Sequence, residues 1–252
     1  MRLLRAMLAC AAALLVWQLA AASLGDRILP TPWATAEDLA LRLRQPVFYR
    51  HLWTSGWRAG VGTLLGLALA APLGLIMGAV KKFDDLAAPL LFLTYPAPKV
   101  LLLPVLLVLL GLGEAPKILL VGLTVGYQVL VVVRDSVLSL DRRLLEAFEG
   151  MWPRGRRRLA KAWALSLHVL VPAAAPAAAT ALRLASGTAV SVLFMAESFA
   201  TDWGLGHWIM DAWGGLDLPK MFSGIAAMSF LGLFFYGLAN AAEKLLCPWL
   251  KR

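Results

Sequence analysis

Four runs of this chain, residues 6–25, 59–80, 118–133 and 221–242, contain no Asp, Glu, Lys or Arg. A helix needs about 20 apolar residues to cross the hydrocarbon core of a bilayer. Two more runs carry a single charge each, 86–113 with Lys99 and 173–196 with Arg183. Inside a bilayer every backbone N–H and C=O must be satisfied within the protein, so such runs fold as helices. The expected fold class is therefore all-α, a polytopic membrane protein with six transmembrane helices. With 60% hydrophobic and 15% charged residues, the composition lies outside that of soluble domains. Residues 6–25 follow Arg2 and Arg5 and end near Ala20-Ala21-Ala22, as a cleaved signal peptide does, but the run is long enough to span and is read as retained.

Basic residues set the orientation. With an even number of crossings both termini share a side. That side carries Arg2, Arg5, Lys81, Lys82, Arg134, Arg142, Arg143, Arg154, Arg156, Arg157, Arg158, Lys161, Lys244, Lys251 and Arg252. The other side carries Arg27, Arg42, Arg44, Arg50, Arg58, Lys117 and Lys220. The asymmetry places both termini in the cytosol. It also accounts for much of the +9 net charge as a topology signal, without nucleic acid as a partner. Cys10 and Cys247 lie on or near the reducing side and are read as ordinary apolar side chains.

The chain reads as one transmembrane domain, 1–252, with a first span to residue 25, an outer segment over 26–57 and a five-span core over 58–252. In the outer segment Pro30-Thr31-Pro32 signals a turn, and Thr35 followed by Glu37 and Asp38 predicts the start of a surface helix. Alanines 173–181 suggest close helix packing. Gly60-Val61-Gly62 begins like a dinucleotide fingerprint, but Leu65 occupies the third glycine position, and the run reads as packing too.

The inner loop, about 135–172, is chemically the richest stretch. Leu144, Leu145, Phe148, Met151 and Trp152 form one stripe of a helix, with Arg142, Arg143, Glu146 and Glu149 on the other faces. Asp141 is the expected N-cap, and Pro153 with Gly155 the stop. A second, mostly apolar segment, 159–171, is expected to close at Pro172. Taken alone, this elbow fits an interfacial helix held by anionic membrane lipid as well as a docking element.

Ordered motifs along nearly the whole chain resemble the permease subunit of binding-protein-dependent ABC importers, of the nitrate/sulfonate/taurine type. They are Leu29-Pro30-Thr31-Pro32, Pro72-Leu73-Gly74, Tyr95-Pro96-Ala97-Pro98-Lys99 with Pro104, Gly111-Leu112-Gly113-Glu114, Arg143-Leu144-Leu145-Glu146-Ala147, Val171-Pro172-Ala173-Ala174-Ala175-Pro176, Leu182-Arg183-Leu184, and Ala196-Glu197-Ser198-Phe199 with Gly204-Leu205-Gly206. The resemblance implies a type I importer permease fold with a cytosolic coupling helix between spans 4 and 5. It implies ATPase coupling through Arg143, Leu144, Leu145, Glu146, Ala147, Phe148, Glu149, Gly150, Met151 and Trp152. Its implied partners are two soluble ABC ATPase subunits, a periplasmic or lipid-anchored substrate-binding protein and a second copy of the chain. The implied place is the bacterial inner membrane, and the implied cargo is a small organic or inorganic anion such as a sulfonate or nitrate, with some neutral or cationic heterocycles also within the family's range. One stretch departs from the pattern. The glycine expected six residues after Glu146 is Trp152 here, and the distance from Glu146 to Pro172 is longer, as if residues were inserted around 152–161.

Charges within spans are costly and often functional. Lys99, among prolines, either snorkels to an interface or faces the path. Together with Tyr95, Pro96, Pro98, Glu197 and Ser198 it forms the candidate pathway or gate. Arg183 and Glu197 share a helix but sit too far apart to pair. No G-x-x-x-x-G-K-[ST] loop exists, so no cofactor is expected on this chain, with ATP and Mg belonging to a partner. His51, His168 and His207 are scattered along the sequence and suggest no catalytic set. The other reading is a self-sufficient ion-coupled transporter using Lys99, Arg183 or Glu197. A non-transporting membrane scaffold is the third.

Overall fold

The computed structural model describes residues 2–25, 28–153, 158–199 and 201–250. Arg154, Gly155, Arg156 and Arg157 of the basic run lie outside the described residues. Among the described residues the chain is helical, without a strand. The helices are α1 (Arg2–Leu24), α2 (Pro32–Arg42), α3 (Pro46–Ala79), α4 (Lys81–Thr94), α5 (Leu103–Leu110), α6 (Glu114–Leu138), α7 (Arg142–Met151), α8 (Arg158–Leu165), α9 (Val171–Glu197), α10 (Leu205–Gly214) and α11 (Leu218–Leu246). Among the described residues, five helical segments are long and apolar enough to cross a membrane, and six if the bent pair Lys81–Thr94 and Lys99–Leu110 makes one crossing.

That pair is the third span, 86–113, broken where its prolines cluster around Lys99. Its two halves meet at 88°. Pro96 and Pro98 each remove a backbone donor, and at Pro98 the backbone is extended, with φ −63° and ψ 109°. The chain therefore leaves α4 at Thr94 and resumes as a 3₁₀ turn, Lys99–Leu102, ahead of α5.

Two other boundaries differ from the sequence reading. α2 starts four residues early: Thr31 is its N-cap, its Oγ1 accepting from the Ala34 N–H at 3.1 Å, with Pro32 in the first turn. The turn signal is thus itself the cap, and Thr35 lies buried inside the helix. Pro172 does not close the segment before it. α8 runs through a π turn, Ser166–Leu170, into α9. Pro172 has no N–H to offer the i−4 carbonyl, and its ring crowds that oxygen. The wider turn, in which the Val171 N–H donates to the Ser166 carbonyl, absorbs the misfit and lets the helix continue.

The chain divides into two compact units, Met1–Trp57 with Phe194–Leu231 and Arg58–Leu193 with Gly232–Arg252. In the first, Trp17 donates its indole N–H to the Pro30 carbonyl at 3.0 Å and approaches Phe222, while Phe48 meets Trp208 edge-on. In the second, α6 buries Val121, Val125, Val129, Val133 and Val137, one residue every fourth position and hence one face. α3 answers with Gly62, Gly66, Ala70, Gly74 and Gly78 at the same interval. A Cβ on Gly66 would lie 2.5 Å from the Gly122 carbonyl oxygen, so only glycine permits this approach. Lipid tails are as apolar as leucine, so contact between backbones is what drives such a pair together. Gly62, 2.7 Å from the Val121 Cβ once a Cβ is added, belongs to the same seam and is packing.

Candidate functional site

α7 begins where Asp141 Oδ1 accepts from the Arg143 N–H at 2.9 Å, as its capping role requires. It ends before Pro153. Arg142 and Glu146 pair at 3.3 Å along its surface, and Lys161 reaches Glu149 at 3.0 Å, tying α7 to α8. Of the apolar stripe, Leu145, Phe148 and Trp152 are half-buried, with the Phe148 and Trp152 rings stacked 5.7 Å apart. Leu144 is 46% exposed and Met151 78% exposed. Among the described residues, no residue of α7 is buried. Arg143, Ala147, Glu149 and Gly150 are exposed around the same short helix.

The second candidate set divides between two places. Tyr95, Pro96 and Pro98 stand exposed at the break between α4 and the 3₁₀ turn, with Ala97 between the prolines. Lys99 turns back on that break. Its Nζ donates to the carbonyls of Thr94 at 2.8 Å and Tyr95 at 2.6 Å, and lies 4.1 Å from the centre of the Tyr127 ring. The prolines cannot donate to these carbonyls, and the ammonium does. Thr94 Oγ1 and Tyr127 OH are 3.0 Å apart beside it.

Glu197 and Ser198 lie elsewhere, at the end of α9. Glu197 has no exposed surface. Ser55 on α3 donates to its carboxylate at 2.7 Å and accepts from the Leu205 N–H, while the Gly206 N–H donates to Glu197 at 3.0 Å. His51 Nδ1 sits 2.9 Å from the Gly204 carbonyl oxygen and 3.1 Å from its N–H. The Ser198 hydroxyl donates to the Phe194 carbonyl. Glu197 thus holds the turn that starts α10.

Sequence spacing hid several partners. His51 and His207, distant in sequence, lie with rings parallel and 6.0 Å apart. Arg58 is buried, donating through Nε and Nη2 to the Glu114 carboxylate at 2.5 and 2.6 Å. Lys117 is buried and donates to the carbonyls of Leu112 and Gly113. These two charges fix the 111–114 turn, a use the topology count did not separate from free loop charges. Arg134 grips Asp84 through two bonds, and Arg183 meets Glu243. Lys220 at 2.7 Å holds the Asp211 carboxyl below the usual carboxylate range. Intramembrane residue type can flag each cation, but only the fold supplies its acid.

Among the described residues, five or six helical segments apolar enough to cross a membrane, one of them broken at prolines, define a polytopic membrane protein. Residues 62–246 match the family described as binding-protein-dependent transport system inner membrane component, and the chain belongs to that family. A probable ABC transporter permease protein of Brucella abortus (strain 2308) is 30% identical over 236 residues, covering 94% of this chain and 91% of its own. The putative aliphatic sulfonates transport permease protein SsuC of Bacillus subtilis (strain 168) is 27% identical over 222 residues, 88% of this chain and 78% of its own. The taurine transport system permease protein TauC of Escherichia coli (strain K12) is 27% identical over 227 residues, 88% and 80% respectively. The chain is a permease of the importer type, multi-pass in the inner membrane.

Proposed function

We propose that this chain forms the translocation pathway of an ATP-driven importer for a small anion of the sulfonate kind, working as a homodimer above two soluble ATPases. A binding protein delivers the solute from outside, and both termini face the cytosol. ATP and Mg act on the ATPases. The observation that carries the reading is α7, a capped helix whose Leu144 and Met151 stay exposed beside the half-buried Leu145, Phe148 and Trp152. An amphipathic helix laid into a groove is a common way for a partner to grip.

The mechanism follows from how α7 is attached. ATP binding draws the two ATPases together and carries α7 with them. The Lys161–Glu149 pair passes the displacement to α8, and the continuous run through the π turn passes it to α9. The spans then alternate between openings on the two sides. The names of SsuC and TauC supply the solute class. Two of the three charges an ion-coupled transporter would use are engaged in the fold, Arg183 with Glu243 and Glu197 with Ser55 and Gly206. That favours energy supplied by a partner.

Glu146→Lys and Phe148→Asp provide the test. Both positions are on α7, away from the spans, so membrane insertion should stay normal. ATPase co-purification and ATP-dependent uptake should fall about tenfold or more, the loss expected when an anchor residue of an interface is reversed. Full co-purification and uptake in both variants would overturn the coupling role.

A further inference from the structure

Resting on the importer reading, we propose that the permease itself binds its solute, in a cavity between α3, α4 and α6 that takes an anion with a short uncharged aliphatic tail. The cavity holds about 380 Å³. Its walls are apolar side chains such as Leu65, Leu69, Leu90 and Leu130, and its polar residues are Thr94 and Tyr127. Their hydroxyls lie 3.0 Å apart, and the Lys99 ammonium rests on the Thr94 carbonyl and over the Tyr127 ring. Positive charge is therefore concentrated at the residues that give the cavity its polar end.

Lys99 is partnered differently from the arginines of the spans. Arg58, Arg134 and Arg183 each meet a carboxylate, Glu114, Asp84 and Glu243 respectively. Lys99 meets carbonyl oxygens and aromatic faces, and no carboxylate among the described residues pairs with it. A cation in a span is costly unless an anion comes to it. Its two bonds to carbonyls leave one of three donors for a head group. The Thr94 hydroxyl donates to the Leu90 carbonyl at 2.8 Å, and the Tyr127 hydroxyl beside it can turn to donate to the anion. A sulfonate fits that end, with its tail along the leucines. The shape also selects: taurine would place its ammonium against leucines, where a charge has no partner.

The test uses the full-length permease in nanodiscs of zwitterionic lipid, with empty discs as the reference, and titrates labelled 1-hexanesulfonate. Binding should saturate, and affinity should rise about threefold to fourfold per methylene from ethanesulfonate to hexanesulfonate. Taurine should bind at least about tenfold more weakly. Lys99→Gln should cost about tenfold or more in affinity, and Tyr127→Phe a smaller, measurable loss. Lys99 also serves the proline break, so Ala87→Phe, which fills the cavity and leaves every polar group in place, should abolish binding as well. Binding that survives both Lys99→Gln and Ala87→Phe overturns the site. So does equal affinity for taurine, or a co-purifying anionic lipid that hexanesulfonate does not displace. The importer reading stands apart from these outcomes. ATP-dependent sulfonate uptake by the full complex without hexanesulfonate binding overturns the site alone, whereas loss of ATP dependence in the wild-type complex overturns the importer.

Discussion

A carboxylate with no exposed surface has to find its donors inside the fold, and Glu197 finds them on two elements, Ser55 from α3 and the Gly206 N–H at the head of α10. Gly204 makes the arrangement possible. Its φ of +135° is open to glycine but not to side-chain-bearing residues, and a Cβ there would overlap the Glu197 carboxylate. Gly204→Ala should therefore lower stability by about 2–4 kcal/mol, combining backbone strain with a displaced buried charge. Gly187→Ala is the control, because nothing lies within 4 Å of an added Cβ there. Its stability should be unchanged or raised by up to about 1 kcal/mol. Thermal unfolding of the purified permease reads both, and equal melting temperatures would remove Glu197 as the organiser of this turn. The sequence marks Glu197 as an acid inside a span and the Gly204-Leu205-Gly206 motif as a turn. It does not mark Ser55 or His51, because neither follows a spacing that periodicity could detect.

At the scale of elements, patterns that repeat every three or four residues were readable, as was the break at the clustered prolines of the third span, and the π turn before Pro172 was not. The α7 stripe, its Asp141 cap and its end before Pro153 are local chemistry, and the helix lies where that chemistry puts it. Pro172 reads locally as a terminator, yet the run from α8 to α9 passes through it. Packing outweighs the local penalty by widening one turn. Restoring the N–H tests this account. In Pro172→Ala, residues 166–170 should return to α geometry, and the added bond should slow amide exchange there about tenfold. The same change would rotate α8 against α9 by about 100°. ATP-driven uptake should then fall while the protein remains folded. Unchanged exchange over 166–172 would show that neighbouring helices, and not the proline, set the π turn.

At the scale of the whole molecule, the break between α4 and the 3₁₀ turn is where a span gives up regular helix. Residues 95–98 leave the helix, and Tyr95, Pro96, Ala97 and Pro98 are all exposed. Non-helical backbone at membrane depth is tolerated against protein or a water-filled cavity, but not against lipid. Lys99 serves the Thr94 and Tyr95 carbonyls from one side, which leaves the outer face of the break to a second copy or to the path. A cysteine placed at Ala97 should therefore react with a small aqueous thiol reagent from at least one side of the membrane. Its rate should change severalfold when ATP is added to the complex with its partner subunits, since alternating access moves water from one side of the break to the other. A cysteine at Leu107, half-buried within the regular turns of α5, should stay protected in every state. The native Cys10 and Cys247 are first replaced by serine so that only the introduced thiol reports. Protection of position 97 with and without nucleotide would mean that the break is sealed by packing, and Lys99 would then serve the kink alone.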